Sequence, residues 1–216
     1  MKILGISGSP RKGQATEELI KVVLEATGFE YEMISLHGKK INGCICCLHC
    51  VKDNWCKVDD DFLPIMKKIY EADVIVIGAP NYFGYMNALT HALLERLYCF
   101  RHDADGKGGM KLAGKLGAIV SVGGGHPDVP VKNIKDFFDY NNIKTVGSVI
   151  AKGAVACFSC GYGETCTISG FRKFYGEDTK MTKDLIPTLE SQPDVLDNAK
   201  KLGLKIKEAA AGGTGN

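Results

Sequence analysis

Cys44, Cys47, Cys50 and Cys56 stand in a C-x2-C-x2-C-x5-C pattern, with Cys46 as an additional thiol inside it. Thiolates two residues apart let one short loop wrap a cubane and present sulfur to three irons, and the fourth can close the set. Structural zinc sites usually draw their ligands from two separated C-x2-C pairs, so four cysteines this compressed point to a 4Fe–4S cluster. A zinc ion, or reactive or disulfide-forming cysteines, are the alternatives. The final gap of five, followed by Lys57 where the ferredoxin run carries proline, suits a single self-contained cluster. Cys46 leaves the choice of first ligand open. Trp55, beside Cys56, is expected to keep water from the cluster, and His49 reads as a solvated loop side chain before it reads as a ligand. His37, His91 and His102 belong to no motif.

A second set of residues suits a phosphate. Ser7-Gly8-Ser9-Pro10-Arg11-Lys12-Gly13-Gln14-Ala15-Thr16 joins an apolar strand to a helix. It is neither a Walker A loop, since Lys12 precedes Gly13, nor G-x-G-x-x-G. It offers the hydroxyls of Ser7, Ser9 and Thr16, the charge of Arg11 and free amides at a helix start, which suits one terminal phosphate. The alternative is an ordinary turn with Thr16 as N-cap. Farther on, Pro80-Asn81-Tyr82-Phe83-Gly84-Tyr85-Met86-Asn87 carries aromatics that can stack. Gly123-Gly124-Gly125, two residues past Ser121, lets backbone amides approach a ring. Together with the phosphate loop these describe a pocket for flavin mononucleotide (FMN). His126, next to the glycines, is a candidate proton donor, with a surface loop residue as the default.

These loops need elements to hold them. Lys2–Ser7, Tyr31–Leu36, Asp73–Gly78, Leu116–Val122 and Thr145–Ala151 read as strands. Helices are expected over Thr16–Ala26, from Asp59 or Asp60 to about Tyr70, over Ala88–Phe100 and Val131–Tyr140, and around Val195, Ala199, Leu202 and Ile206. The triplet Asp59-Asp60-Asp61 reads as helix-start chemistry. Such alternation predicts a doubly wound, five-stranded parallel sheet in the order 2-1-3-4-5. Every chemical loop follows a strand, so all are expected to share the carboxyl edge of that sheet. Residues 1–210 are expected to form one domain, with the cluster-binding loop at 44–56 and an insertion at 157–180. Arg101–Lys115 reads as a long exposed connection and 211–216 as a disordered tail.

Composition excludes several classes. A formal charge of +2 over 216 residues gives no electrostatic footprint for nucleic acid. No apolar run approaches a membrane span, and Met1-Lys-Ile-Leu-Gly-Ile does not read as a signal peptide. Nine cysteines clustered in two groups plus Cys99 suggest metal ligation in a reduced cytoplasm.

Three segments carry a family resemblance: Gly8 through Gly13 to Thr16, the Pro80-Asn81-Tyr82-Phe83-Gly84 turn, and the glycines at 123–125. They resemble the NADPH-dependent FMN reductase family of flavodoxin-like proteins. The cysteine motif narrows this to its iron–sulfur flavoprotein subgroup. The resemblance covers residues 1–155 and the final helix. It implies bound FMN, a 4Fe–4S cluster on Cys44, Cys47, Cys50 and Cys56, and a homodimer or homotetramer in which one subunit's cluster lies near its neighbour's flavin. It also implies electron transfer from a ferredoxin-like donor to a small acceptor such as oxygen or peroxide. By the same resemblance Ser9, Arg11, Gln14 and Thr16 hold the phosphate, with Ser7 and Pro10 in the same loop. Pro80, Asn81, Tyr82, Phe83, Gly84, Met86, Gly123, Gly124 and Gly125 hold the ribityl chain and ring, with Ser121 beside them.

Two features depart from that pattern: Cys46, and Cys157-Phe-Ser-Cys160-Gly-Tyr-Gly-Glu-Thr-Cys166, placed where only a short link is expected. Cys157, Cys160 and Cys166 can be a second metal site, a substrate-selecting or redox-active thiol set, or plain structure. Cys99 is a poor fourth ligand for them, because its helix should carry it to the opposite edge of the sheet. Two other functions compete with the iron–sulfur flavoprotein. One is an NAD(P)H-dependent FMN or quinone reductase with a structural metal, and the other is a non-catalytic redox sensor.

Overall fold

Alternate residues of a strand point to opposite faces, and here both faces are apolar. In a computed structural model, Leu4 and Ile6 of β1 (Ile3–Ser7) turn to one side and Ile3 to the other. Likewise Ile75 and Ile77 of β3 (Val74–Tyr82) oppose Val74 and Val76, and Ile119 of β5 (Leu116–Gly123) opposes Ala118 and Val120. The structure describes residues 1–103, 106 and 109–212. Two helix layers cover these faces. α2 (Phe62–Glu71), α3 (Ala88–Arg96) and α4 (Asp128–Tyr140) pack on the first through Phe62, Ile65, Ile69, Leu93, Ile134 and Phe138. α1 (Ala15–Ala26) and α7 (Pro193–Gly212) pack on the second through Leu19, Ile20, Leu24, Ala199, Leu202 and Ile206.

β1 lies between β2 (Tyr31–Ser35) and β3, parallel to both; β3 pairs with β5, and β5 with β6 (Lys144–Lys152). This is a flavodoxin-like α/β fold with a parallel sheet. The expected five strands are corrected to six, in the order β2-β1-β3-β5-β6, with the two-residue β4 (Tyr85–Met86) pairing β3 off that path. β3 does not stop at Gly78. It runs on to Tyr82 and folds back antiparallel through Phe83 and Gly84, both at positive φ (53° and 83°), the backbone that a tight two-residue hairpin turn demands.

Other boundaries also shift. α3 ends at Arg96, and a 3-10 turn over Leu97–Arg101 continues the chain. The connection after it is not wholly exposed, since Leu112 is fully buried; residues 104, 105, 107 and 108 lie outside the described ones. α7 extends through Ala211 and Gly212, two residues into the expected tail, and residues 213–216 lie outside the described ones. After β6 the insertion forms two short helices, α5 (Cys157–Cys160) and α6 (Gly170–Tyr175). They are held by a small aromatic cluster in which buried Phe171 stacks on Tyr175 and meets Phe158 edge-on. Among the described residues no helix is long and apolar enough to cross a membrane.

Candidate functional site: a strand-edge cleft and a cysteine recess

At the carboxyl edge of β1, β3 and β5 lies a cleft of about 330 Å³, within the roughly 300–1,000 Å³ common for small-molecule sites. Ser9, Arg11, Gln14, Thr16, Pro80, Asn81, Gly123 and Gly124 all line it. Thr16 is not the N-cap of α1. Gln14 holds that position without a capping side-chain bond, so the first amides of α1 are left to whatever enters the cleft. Arg11 N–H donates to Ser9 Oγ at 3.2 Å, which fixes the loop's turn.

Asn87, the last residue of the aromatic loop, ties the loops together. Its Nδ2 donates to Gly8 O at 2.8 Å, and its Oδ1 accepts from Thr90 Oγ1 at 2.7 Å, all within the protein interior. Gly8 N–H meanwhile donates to Gly78 O at 2.8 Å. A Cβ on Gly8 would stand 1.8 Å from Thr90 Oγ1, so the phosphate loop can approach α3 this closely only as glycine.

Other expected residues lie elsewhere. Ser7 and Met86 are buried; Ser121 is buried too and donates to Pro127 O at 2.6 Å. Pro10 is exposed, with its carbonyl 2.6 Å from His37 Nδ1. Tyr82, Phe83 and Gly84 form the hairpin tip, where Phe83 is 100 % exposed. Gly125 packs beneath Phe174. His126 is exposed at φ 50° and does not line the cleft. Gly153, Ala154 and the stretch 186–190 complete the wall, and no motif in the sequence marks them.

Cys44, Cys46, Cys47, Cys50 and Cys56 line a separate, mostly apolar recess, together with Arg96 and Cys99. Burial raises the Cys50 thiol above its ordinary value, and the nearby Cys56, Cys47 and Cys44 sulfurs push it further the same way. Cys46 stands at φ 52°, and Leu48 at 57°, left-handed positions that non-glycine residues occupy at a cost. Cys99 is buried against Met66 and its thiol is pushed up to about 12, first by burial. It lies just past the end of α3, at this recess and away from the strand-edge cleft. His102, which no spacing singled out, places Nε2 3.1 Å from Cys50 Sγ. Trp55 does not line the recess; it meets Tyr70 and Phe100 edge-on and anchors the loop to the core. His49 is exposed.

Arg96 organises this recess and was not legible in the sequence. It is 2 % exposed, and its guanidinium lies 4.5 Å from the Phe62 ring. It donates to Asn42 O (3.1 Å), Val58 O (3.2 Å), both Asp60 carboxylate oxygens (2.6 and 3.2 Å) and Cys56 Sγ (3.2 Å). Burial opposes its charge, but the bonds to Asp60 and Cys56 prevail and hold its pKa above the ordinary value. The N-cap of α2 is Asp61 and not Asp59 or Asp60; Asp60, one residue earlier, accepts Phe62 N–H at 3.1 Å and pairs with Arg96.

The two sites do not share one edge of the sheet. Cys44 N–H donates to Glu95 Oε2 at 3.2 Å, so the cysteine loop seats on the last turn of α3, while Asn87 before its first turn bonds Gly8 O, next to Ser9 of the cleft wall. Nine residues at 1.5 Å per residue put those helix ends roughly 14 Å apart. Among the described residues no three His, Cys, Asp or Glu side chains converge as ligands of one ion. The residues of the recess fit a thiolate-bound metal or cluster: several thiols, a low-polarity lining and a buried cation to offset their charge.

The sequence model of the family described as NADPH-dependent FMN reductase matches residues 1–155. The chain belongs to that family. An iron–sulfur flavoprotein of Methanocaldococcus jannaschii is 37 % identical over 153 residues, covering 68 % of this chain and 76 % of the relative. One of Methanosarcina thermophila is 36 % identical over 146 residues, covering 66 % and 74 %. Among solved structures, a flavone reductase superposes with a TM-score of 0.63 at 17 % identity, over 98 % of this chain and 63 % of that one, a likeness of fold alone. As a member of the NADPH-dependent FMN reductase family, with iron–sulfur flavoproteins as relatives, the chain is an FMN-dependent oxidoreductase.

The family match ends two residues before Cys157. Cys157 is half-buried, with Sγ accepting Phe171 N–H at 3.3 Å and lying 3.8 Å from Ser169 Oγ. Burial works to raise its thiol, but the Phe171 amide, the Ser169 hydroxyl and the Gly170 amide outweigh it and hold the pKa below the ordinary value. Cys160 is exposed and Cys166 half-buried.

Proposed function

We propose that this FMN-dependent oxidoreductase is an iron–sulfur flavoprotein that exchanges electrons between a one-electron donor of the ferredoxin class and a small acceptor such as oxygen or peroxide. The observation that carries this reading is the recess in which Cys44, Cys47, Cys50 and Cys56 gather against the Arg96 guanidinium, in a chain that also holds a flavin-type cleft. In the cleft, Ser9, Arg11, Gln14 and Thr16 take the phosphate at the uncapped start of α1. Pro80, Asn81, Gly123 and Gly124 border the rest of the flavin, and the Tyr82–Met86 hairpin stands beside it. In the recess Cys44, Cys47, Cys50 and Cys56 would hold a 4Fe–4S cluster, with Cys46 beside them.

FMN supplies chemistry that joins two-electron and one-electron partners, and a cluster carries single electrons. The residues around them set binding, charge and water access. Arg96 offsets thiolate charge at Cys56, and Cys99 and Tyr98 keep the recess floor apolar. The exposed apolar side chains of Ile45, Leu48 and Tyr98 near the recess, and of Phe83 and Tyr85 on the hairpin, support a homo-oligomer. In it one subunit's cysteine loop meets another's hairpin, which closes the gap that α3 imposes within a single chain. All nine cysteines are free, which suits the reduced cytoplasm.

The family's description favours a second reading, in which NAD(P)H reduces the flavin directly and the cysteines hold a structural metal. Stopped-flow mixing of anaerobic protein with reduced ferredoxin or with NAD(P)H separates the two. Rapid flavin reduction by ferredoxin and slow reduction by NAD(P)H supports the first reading, and the opposite order sinks it.

A further inference from the structure

Cys157 and Cys160 are the first and last residues of α5. Residues three apart on a helix have Cβ atoms about 5–6 Å from each other, whereas a disulfide needs about 3.5–4.5 Å, so the single turn of α5 must draw in by about 1–2 Å to close a bridge. The two thiols differ in kind. Cys157 Sγ is held by the Phe171 amide at 3.3 Å, beside the Ser169 hydroxyl, whereas Cys160 is exposed and donates only to Cys157 O, at 3.4 Å. A C-x2-C pair whose first sulfur accepts an amide hydrogen bond, which favours its thiolate, is the arrangement of an attacking thiol followed by a resolving one.

Their position adds a partner. Gly153 and Ala154, on the chain entering α5, line the cleft, and Val155 packs so tightly on Gly124 that a Cβ there would lie 2.7 Å from Val155 Cγ1. Phe174 of α6 closes over Gly125 in the same way, at 2.9 Å. The insertion that carries the dithiol is thus packed on the glycine loop through Val155, two residues before Cys157, and Phe174 of α6.

We propose that Cys157 and Cys160 form a reversible disulfide that exchanges two electrons with FMN in the cleft and reduces small disulfide substrates. The exchange rests on the FMN reading above. In the reductive half, the Cys157 sulfur attacks one sulfur of the substrate and its first thiolate leaves. Cys160 then displaces Cys157 from the mixed disulfide, the second thiolate leaves, and the Cys157–Cys160 bond closes. The two protons of the dithiol pass to the two product thiols. In the regenerating half, reduced FMN gives two electrons and two protons to the bridge, which opens to two thiols, and FMN is left oxidised.

The test uses the anaerobically purified full chain with oxidised glutathione as substrate, free thiols being alkylated before peptide mass mapping. The expected product is a Cys157–Cys160 bridge, unchanged in Cys166→Ser. In Cys160→Ser the bridge is lost and Cys157 carries glutathione. Photoreduction of the bound flavin should then reopen the bridge as the oxidised-flavin absorbance disappears. Pairing of either thiol with Cys166, or zinc retained on these sulfurs, overturns the dithiol. Flavin that bleaches while the bridge stays closed overturns the exchange alone, and a preparation without flavin overturns the exchange together with the FMN reading.

Discussion

Arg96 Nη2 donates to Cys56 Sγ at 3.2 Å while the same guanidinium grips Asp60, so one buried cation joins the start of α2 to the last cysteine of the loop. Arg96→Met should strand the Asp60 carboxylate in the interior, a loss of about 3–5 kcal/mol for a broken buried pair. Arg96→Lys keeps the charge but cannot span Asn42 O, Val58 O, Asp60 and Cys56 at once. It should fold and retain less iron and sulfide per chain than the parent. Guanidinium denaturation and metal analysis of the two variants check both expectations.

Acid should act through the same pair. Burial alone would raise Asp60, but bonds from Arg96, Phe62 N–H and Asn42 N–H, with the Arg96 charge, hold it below its ordinary 3.8. A depressed folded-state pKa means that the stabilisation is complete above the ordinary carboxylate value and is lost as pH falls through the folded-state value. The stability gap between the parent and Asp60→Asn, followed by denaturant titration of the chelator-treated chain, should therefore be widest near neutrality. It should narrow as the pH drops below about 4.

At the cleft, Arg11 lines the wall just before the uncapped start of α1, whereas Lys12 does not line it. Arg11→Ala should weaken FMN by about tenfold or more, the size of one charge-assisted hydrogen bond. Riboflavin, which lacks the phosphate, should bind the variant and the parent alike. Flavin fluorescence titration reads both constants, and equal losses for the two ligands would remove Arg11 from the phosphate site.

Asn87→Ala should uncouple the phosphate loop from the hairpin, because Gly8 O and Thr90 Oγ1 each lose a buried partner. An orphaned buried group costs about 1–3 kcal/mol. FMN affinity should fall with the stability. Thermal melts with and without added FMN measure the two losses on one sample.

The sheet was readable because its strands are apolar on both faces and its helices on one, a pattern that local sequence displays directly. The position of the loops after β1 and β5 was readable for the same reason, since a strand delivers each to the cleft. What escaped depends on contacts across the fold. Arg96 looks like any helix arginine until Asp60, 36 residues earlier, closes over it. His102 meets Cys50 from 52 residues away. The hairpin was missed because Phe83 takes a left-handed backbone that its residue type does not announce. The separation of the cysteine loop from the cleft follows from where the loop lands on α3, and loop length alone does not encode that.

The most direct test is the cofactor content of anaerobically purified chain: iron, acid-labile sulfide, zinc and flavin counted against protein. About four irons and four sulfides per FMN are predicted, with little zinc, the content of one cluster on Cys44, Cys47, Cys50 and Cys56. Colourless protein, with neither flavin nor labile sulfide, would contradict the proposal outright.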